Sequence, residues 1–352
     1  MFINGLGTAN PPYRYSKADC WEAFKTSKWF QRLDLRSHMI METVLKKDNG
    51  IESRSLAVES LDEVFSIDPD TLHSRFLANA PALGATAGGA ALKEAGIDAS
   101  AIDGVVISTC TGYLCPGLTS YVIERLGLRT DVLAFDLVGQ GCAAALPNWR
   151  LAEALLSTGS CLNVLSICVE VSSAAMYLDN DPGVLISACL FGDGAGAAVL
   201  SRHQNPRRRS IEWKGFASLI NPAERDALFF ETRQGMLRNV LSRTVPWLAA
   251  GHAQQVLNTV LNGANLKPED MSAWIMHAGG RDVLIALQNQ LKITTEDLHY
   301  SADMLRLYGN MSSAFIYFVL QAALKDNAKP GWWWVSSFGA GFSCHGALLK
   351  AA

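Results

Sequence analysis

The 352 residues predict a layered α/β fold of two similar halves, and three observations carry that expectation. Apolar strand-like runs alternate with helical stretches of ten or more residues, a pattern that covers sheets with helices. The chain is 49% hydrophobic and 18% charged, enough for a large core. A motif of helix, acidic turn, strand and polar strand end occurs twice, the mark of a duplicated unit.

In the first copy, residues 90–96 close a helix, Asp98 and Asp103 punctuate the turn, and Gly104-Val105-Val106-Ile107-Ser108 reads as a strand ending at Cys110-Thr111-Gly112. In the second, residues 260–266 lead through Pro268-Glu269-Asp270 into Ala273-Trp274-Ile275-Met276, ending at His277-Ala278-Gly279-Gly280. Each half closes on a Gly-rich, hairpin-like segment, residues 190–200 and 337–349. The pattern breaks between Ser201 and Arg209, so the halves are expected at 1–204 and 205–352. Arg207, Arg208 and Arg209 read as a solvated loop.

The net charge of −3 speaks against a nucleic-acid coat or a basic membrane patch. No apolar run reaches the ~18 residues of a bilayer span. The cysteines at 20, 110, 115, 142, 161, 168, 189 and 344 form no CxxC pair, and no signal-peptide pattern precedes the first strand. A reducing cytoplasm is the expected compartment.

Cys142 is the most pointed candidate. Val132-Leu133-Ala134-Phe135 reads as a buried strand, Gly139-Gln140-Gly141 as a tight turn, and the Ala-rich stretch after Cys142 as a helix. A thiol at a helix N-terminus faces unpaired N–H groups and the positive end of the dipole, which favour the nucleophilic thiolate. Against this stands an ordinary small core cysteine. His277 should project from a strand end into a turn, where a lone histidine is commonly structural. Asn310, in Tyr308-Gly309-Asn310-Met311-Ser312-Ser313, would on its own be a helix cap.

The Cys142 elbow, Leu190-Phe191-Gly192-Asp193-Gly194, His277-Ala278-Gly279-Gly280, Gly309-Asn310-Met311-Ser312-Ser313 and Gly339-Ala340-Gly341 together resemble the thiolase superfamily. They are most similar to the type III polyketide synthases, the chalcone synthase-like enzymes. The resemblance spans essentially the whole chain and is thinnest over the first ~80 residues. It implies the thiolase fold, an acyltransferase and a homodimer with Cys115 near the subunit boundary. Cys142 is then the acyl-carrying nucleophile, and His277 and Asn310 form the decarboxylation and oxyanion site. Phe191 is a gatekeeper between tunnel and cavity. The substrates are an acyl-CoA starter and malonyl-CoA, with no resident cofactor or metal. Asp193, between two glycines, is read as a turn former without a chemical role.

Departures from the plant pattern bear on the substrate. Positions Cys110, Thr111, Cys115, Ser172, Ala175 and Ser312 are expected to line the tunnel, mostly with small side chains. Ala175 replaces a threonine, and Cys115 replaces a methionine that reaches into the partner's cavity. No second gatekeeper phenylalanine is found between Met236 and Asn239, and Ala340 stands where the family usually has proline. Residues 240–246 look like the bacterial alkylresorcinol and alkylpyrone synthases. A medium- to long-chain fatty acyl starter is therefore expected, since each buried methylene contributes about 0.8 kcal/mol. Arg32, Arg36, Lys46, Lys47 and Arg54 are candidates for the CoA phosphates. The competing readings are a ketoacyl synthase III making one condensation, an aromatic-starter enzyme and a catalytically retired partner subunit.

Overall fold

The computed structural model describes residues 1–352. The first half begins with β1 (Phe2–Ala9), β2 (Arg14–Ser16), α1 (Lys17–Thr26), α2 (Leu35–Lys46) and β3 (Ser53–Ser55). It continues through α3 (Pro69–Ala95), β4 (Gly104–Ser108), α4 (Leu118–Leu126), β5 (Leu133–Leu137) and α5 (Ala145–Ser157). It ends with β6 (Asn163–Glu170), α6 (Pro182–Leu190) and β7 (Gly194–Ser201). The second half holds β8 (Ile211–Ile220), the hairpin β9 (Leu228–Arg233) and β10 (Met236–Leu241), α7 (Val245–Ala264) and β11 (Met271–Met276). Then follow α8 (Arg281–Leu291), α9 (His299–Tyr308), α10 (Phe315–Lys325), β12 (Gly331–Gly339) and β13 (Ser343–Ala351).

Nine strands run in the order β11-β12-β13-β8-β1-β7-β6-β4-β5. The halves repeat one pairing scheme: β1 is antiparallel to β7, β7 to β6, and β6 is parallel to β4. Likewise β8 is antiparallel to β13, β13 to β12, and β12 is parallel to β11. One register pair, Phe2↔Glu212, joins β1 to β8. The sheet thus divides into two portions, leaving room for helices between them.

The layering follows from side-chain alternation. Along β6, Leu165, Ile167 and Val169 share a core with Ala80, Ala87 and Ala91 of α3. Val164 and Cys168 point the other way, into a core with Trp149 of α5 and Tyr317 of α10. There the Trp149 indole N–H donates to the Tyr317 hydroxyl at 3.1 Å, which also bonds Ser166 at 2.8 Å. On the far side α7 covers β8 and β13, with Val256 and Val260 lying against Gly346 and Gly215. Helix, sheet, helix, sheet, helix is the resulting order. The α3 backbone sits so close to β1 that a Cβ at Gly5 or Gly7 would fall 2.3 or 2.1 Å from a helix carbonyl.

Two local expectations are corrected. Residues 133–135 of that run open β5, which is an edge strand and not a buried one: it has a single neighbour, and Leu133 is 41% exposed. Residues 337–349 belong to a true hairpin, β12–β13, whereas 190–200 contain the end of α6 and then β7. No helix is long and apolar enough to cross a membrane.

Candidate active site

The Cys142 elbow is held from the opposite half. Gly141 has φ +54°, which turns the chain from β5 toward α5, and residues 141–143 form a short 3-10 turn before the helix. The end of β12 presses on this turn: a Cβ at Gly339 would lie 2.7 Å from the Ala143 nitrogen and 3.0 Å from the Cys142 nitrogen. Ser337 also donates its hydroxyl to the Ala143 carbonyl at 3.0 Å.

Cys142 is buried, and its Sγ accepts a hydrogen bond from the Ser312 hydroxyl at 3.1 Å. Burial pushes the thiol up to about 12, the Ser312 hydroxyl acts against that push, and the Glu170 charge adds to it. The thiolate expected from the helix end has to form against this desolvation. Residues 141–143 place the sulfur at the helix N-terminus as expected, but burial works against its negative charge.

His277 follows β11, its backbone N–H bonded to the Ser336 carbonyl at 2.9 Å. The ring is packed edge-on between Phe315 and Phe338, at centroid distances of 5.4 and 4.9 Å. Burial pushes the imidazole down to about 3, so it is neutral near pH 7. Neither ring nitrogen has a protein partner although both are buried. A polar group so enclosed is costly to leave unpaired.

Asn310 is fixed at both ends of its amide. Oδ1 accepts the Ser312 N–H at 2.8 Å, and Nδ2 donates to the Gly279 carbonyl at 3.2 Å. An amide nitrogen has two hydrogens, so one remains for another acceptor. The Asn310 backbone pairs with the segment around Phe191: Asn310 N–H to the Leu190 carbonyl and Gly192 N–H to the Asn310 carbonyl, each at 2.9 Å. Gly309, with φ +70°, permits this approach, since a Cβ there would meet the Leu190 oxygen at 2.7 Å.

Cys142, His277, Asn310 and Phe191 all line one cleft of about 750 Å³. Phe191 also lines a second pocket of about 30 Å³ with Thr111, Ser172 and Ala175, beyond which lies a third, again about 30 Å³. The latter two share Leu56, Met176 and Ala188. Each has room for only two or three water-sized groups.

The other expected positions divide. Ser312 sits beside Cys142, its hydroxyl also 3.2 Å from the Cys110 sulfur. Cys110 lines none of these cavities; its thiol donates to Glu170 at 3.4 Å, and burial beside Glu170 pushes it well above the usual thiol range. Cys115 is exposed and also outside the cavities, because its loop projects beyond the strand ends. Arg54 is buried, donating to the Ala188 and Phe191 carbonyls at 2.8 Å, so it ties down the segment that carries Phe191 and does not face a phosphate. Lys46 is tied to Glu42 at 2.6 Å, and only Lys47 of the five basic candidates lines the cleft. Asp193 accepts from Ala57 N–H, Ser173 N–H and the Ser173 hydroxyl, so beyond the turn expected of it the buried carboxylate ties two remote segments together.

Sequence reasoning missed Arg243 and Arg281 at the cleft mouth. It also missed Glu170, which accepts from the Cys110 N–H at 3.0 Å, the Thr111 hydroxyl at 2.9 Å and the Ser313 hydroxyl. The available signal was an acidic residue closing the apolar run 164–171.

Residues 10–214 match the family described as FAE1/Type III polyketide synthase-like protein, and residues 222–352 match the chalcone and stilbene synthases, C-terminal domain. The chain is 29% identical to a 3,5-dihydroxyphenylacetyl-CoA synthase of Streptomyces toyocaensis, over 99% of this chain and 89% of that one. It is 30% identical to a 1,3,6,8-tetrahydroxynaphthalene synthase of Streptomyces peucetius subsp. caesius, over 99% and 92%. Among solved structures it superposes on a fungal type III polyketide synthase with a TM-score of 0.86 at 26% identity, covering 100% of this chain and 99% of that one.

Proposed function

Since the chain belongs to the type III polyketide synthases, acyltransferases that condense malonyl-CoA into polyketides, we propose that Cys142, His277 and Asn310 carry its chemistry on a small starter. Cys142 attacks the starter thioester, forming a new C–S bond as the C–S bond to CoA breaks, and the Cys142 proton leaves with the departing CoA thiol. Malonyl-CoA then places its thioester oxygen between the His277 N–H and the free Asn310 N–H. Both donors act on the charge that develops as the C–C bond to the carboxylate breaks, CO2 leaves and an enolate forms. The enolate carbon attacks the Cys142 thioester, making a C–C bond and freeing the sulfur, and the chain on CoA is two carbons longer. Substrates bring the CoA; the reading calls for no resident cofactor. Lys47, Arg243 and Arg281 at the mouth are the cations offered to its phosphates.

The observation that carries this reading is the unpartnered, buried His277 ring sharing one cleft with Cys142 and Asn310. The starter size rests on the about 30 Å³ behind Phe191, and an aromatic polyketide product accords with the names of both Streptomyces relatives. A fatty acyl starter has one observation in its favour: the third pocket is lined almost wholly by apolar side chains and lies in series with the second. That route needs Met176 and Leu56 to part. A panel of acetyl-, hexanoyl- and lauroyl-CoA, each with malonyl-CoA and read by mass spectrometry, decides between them. Highest turnover with acetyl-CoA or malonyl-CoA alone is expected; highest turnover with lauroyl-CoA reverses the choice. Cys142→Ala is expected to lose acyl loading altogether, and an adduct on that variant would remove the assignment.

We further place the enzyme in a reducing cytoplasm, in keeping with its eight free cysteines, and as a homodimer. Support for the dimer is the open β5 edge with exposed Leu133 and Val138, near exposed Tyr113 and Cys115. A monomer at micromolar concentration in light scattering would remove it.

A further inference from the structure

The pocket behind Phe191 contains two polar side chains that the fold leaves without partners. Its other small polar residues are satisfied: Thr111 bonds Glu170 at 2.9 Å, Ser172 the Gly192 carbonyl at 3.1 Å, and Ser173 Asp193 at 2.6 Å. Ser187 Oγ and Asn239 Oδ1 have none. Both residues are more than nine-tenths buried, at 5% and 8% exposure.

Neither is an accident of a flexible surface. Ser187 lies within α6, where a serine hydroxyl ordinarily bonds the carbonyl four residues back, and it makes no such bond. It sits one turn before Phe191, whose N–H bonds the Ser187 carbonyl, so both occupy one side of α6. Asn239 is the register partner of Phe230 across the β9–β10 hairpin, and both side chains reach the pocket. The hairpin is anchored by Arg238, which holds Asp179 at 2.9 Å and Glu231 at 2.9 Å.

Each orphaned group stays unpaired in a fold that satisfies its neighbours, which costs the desolvation of that group with nothing to offset it. A ligand bearing one hydrogen-bond acceptor and one donor within the same pocket would relieve both. An alkyl chain has neither. The enolised β-keto end of a growing polyketide has a keto oxygen for the Ser187 hydroxyl and an enol hydroxyl for the Asn239 carbonyl. A pocket of about 30 Å³ admits only that oxygenated tip, and the rest of the chain stays in the cleft on the other side of Phe191. We propose that Ser187 and Asn239 form a specificity site behind Phe191 that takes the oxygenated end of the growing chain and so sets how many units are added. The proposal rests on the polyketide-forming reading above. A site built to pair a polar group rejects the analogue lacking it far more strongly than an apolar pocket rejects an added methylene.

The test compares wild type with Ser187→Ala, Asn239→Leu and Ser187→Thr, using acetyl-CoA or hexanoyl-CoA with malonyl-CoA. Product lengths are read by mass spectrometry, alongside malonyl decarboxylation and acyl loading of Cys142. Ser187→Ala and Asn239→Leu are expected to keep loading and decarboxylation within about twofold. They should lower the ratio of longest to shortest product about tenfold, since loss of one such bond costs on the order of 1.4 kcal/mol. The same variants should shift turnover toward hexanoyl-CoA, and Ser187→Thr, which keeps the hydroxyl, should retain the wild-type product pattern. Unchanged product lengths in both Ser187→Ala and Asn239→Leu would overturn the proposal, as would a Ser187→Thr profile matching that of Ser187→Ala. Those failures leave condensation standing, whereas a wild type that loads Cys142 but forms no carbon–carbon bond overturns both readings.

Discussion

The matching strands β4 and β11 end the two halves in opposite states. Past β4, Thr109, Cys110 and Thr111 are drawn onto Glu170, whose carboxylate gathers hydroxyl, thiol and backbone donors. Past β11, His277 has two buried ring nitrogens and no protein partner for either. Duplication supplied the same scaffold twice, parallel to β6 in one half and to β12 in the other. One strand end became a satisfied cluster that holds the elbow's surroundings, and the other kept unused hydrogen-bonding capacity facing the cleft. Partner count, more than residue type, separates the two ends.

That contrast breaks most visibly at His277. His277→Ala should lower condensation by roughly 10²–10³, the usual effect of losing one preorganised donor to a developing oxyanion. Thermal stability should hold or rise, because a buried unpaired group has been removed. A variant that unfolds while retaining its per-molecule rate would make His277 structural and dissolve the comparison. At the other end, Glu170→Ala should cost about 2–3 kcal/mol in urea unfolding by stranding the donors gathered there. No change in the midpoint would show that the cluster contributes nothing.

Acid sharpens the same distinction. His277 in the fold is held near 3 against about 6.5 unfolded, so below pH 6.5 the unfolded chain binds the proton that the folded chain refuses. Stability should therefore fall as pH drops from 6.5 toward 3, by up to about 1.4 kcal/mol per unit for this group, and stay level above 6.5. His345, pushed down to about 4 by burial, adds in the upper part of that window. His277→Gln should flatten the slope by close to one proton, and an unaltered slope would place the titration elsewhere. The smallest effect concerns the nucleophile's one hydroxyl donor. Ser312→Ala should slow iodoacetamide alkylation of Cys142 about tenfold at fixed pH, since a hydrogen bond to an ionised group contributes ~1.5 kcal/mol or more. Faster alkylation would mean that the hydroxyl shields the sulfur instead of stabilising its charge.

Much of the frame was legible from the chain. Strand Gly104–Ser108 was read with its observed bounds, and the repeated helix, acidic turn and strand foretold the shared pairing scheme. The elbow was legible because Gly139 and Gly141 both need positive φ and stand directly before an Ala-rich helix. The β5 edge was not, since an apolar run looks the same whether one neighbour or two will pair with it. Arg54 looked like a surface cation because charge alone does not reveal burial, and its three acceptors, the Ala188 and Phe191 carbonyls and the Cys20 sulfur, come from distant segments.

By itself, the sequence determined the layered α/β class and the family, because periodicity, glycine turns and motif order are properties of neighbouring residues, and it singled out Cys142, His277 and Asn310 as candidates only through the family resemblance. Tertiary structure alone decided which polar groups end up paired. Glu170 meets Ser313 across 143 residues, Ser312 meets Cys142 across 170, and Ser187 and Asn239 are left without partners. It also decided that the space behind Phe191 is narrow, which small side chains at Ala175 and Ser172 did not foretell. Cavity volume and hydrogen-bond satisfaction depend on how remote segments pack, and no local pattern encodes them.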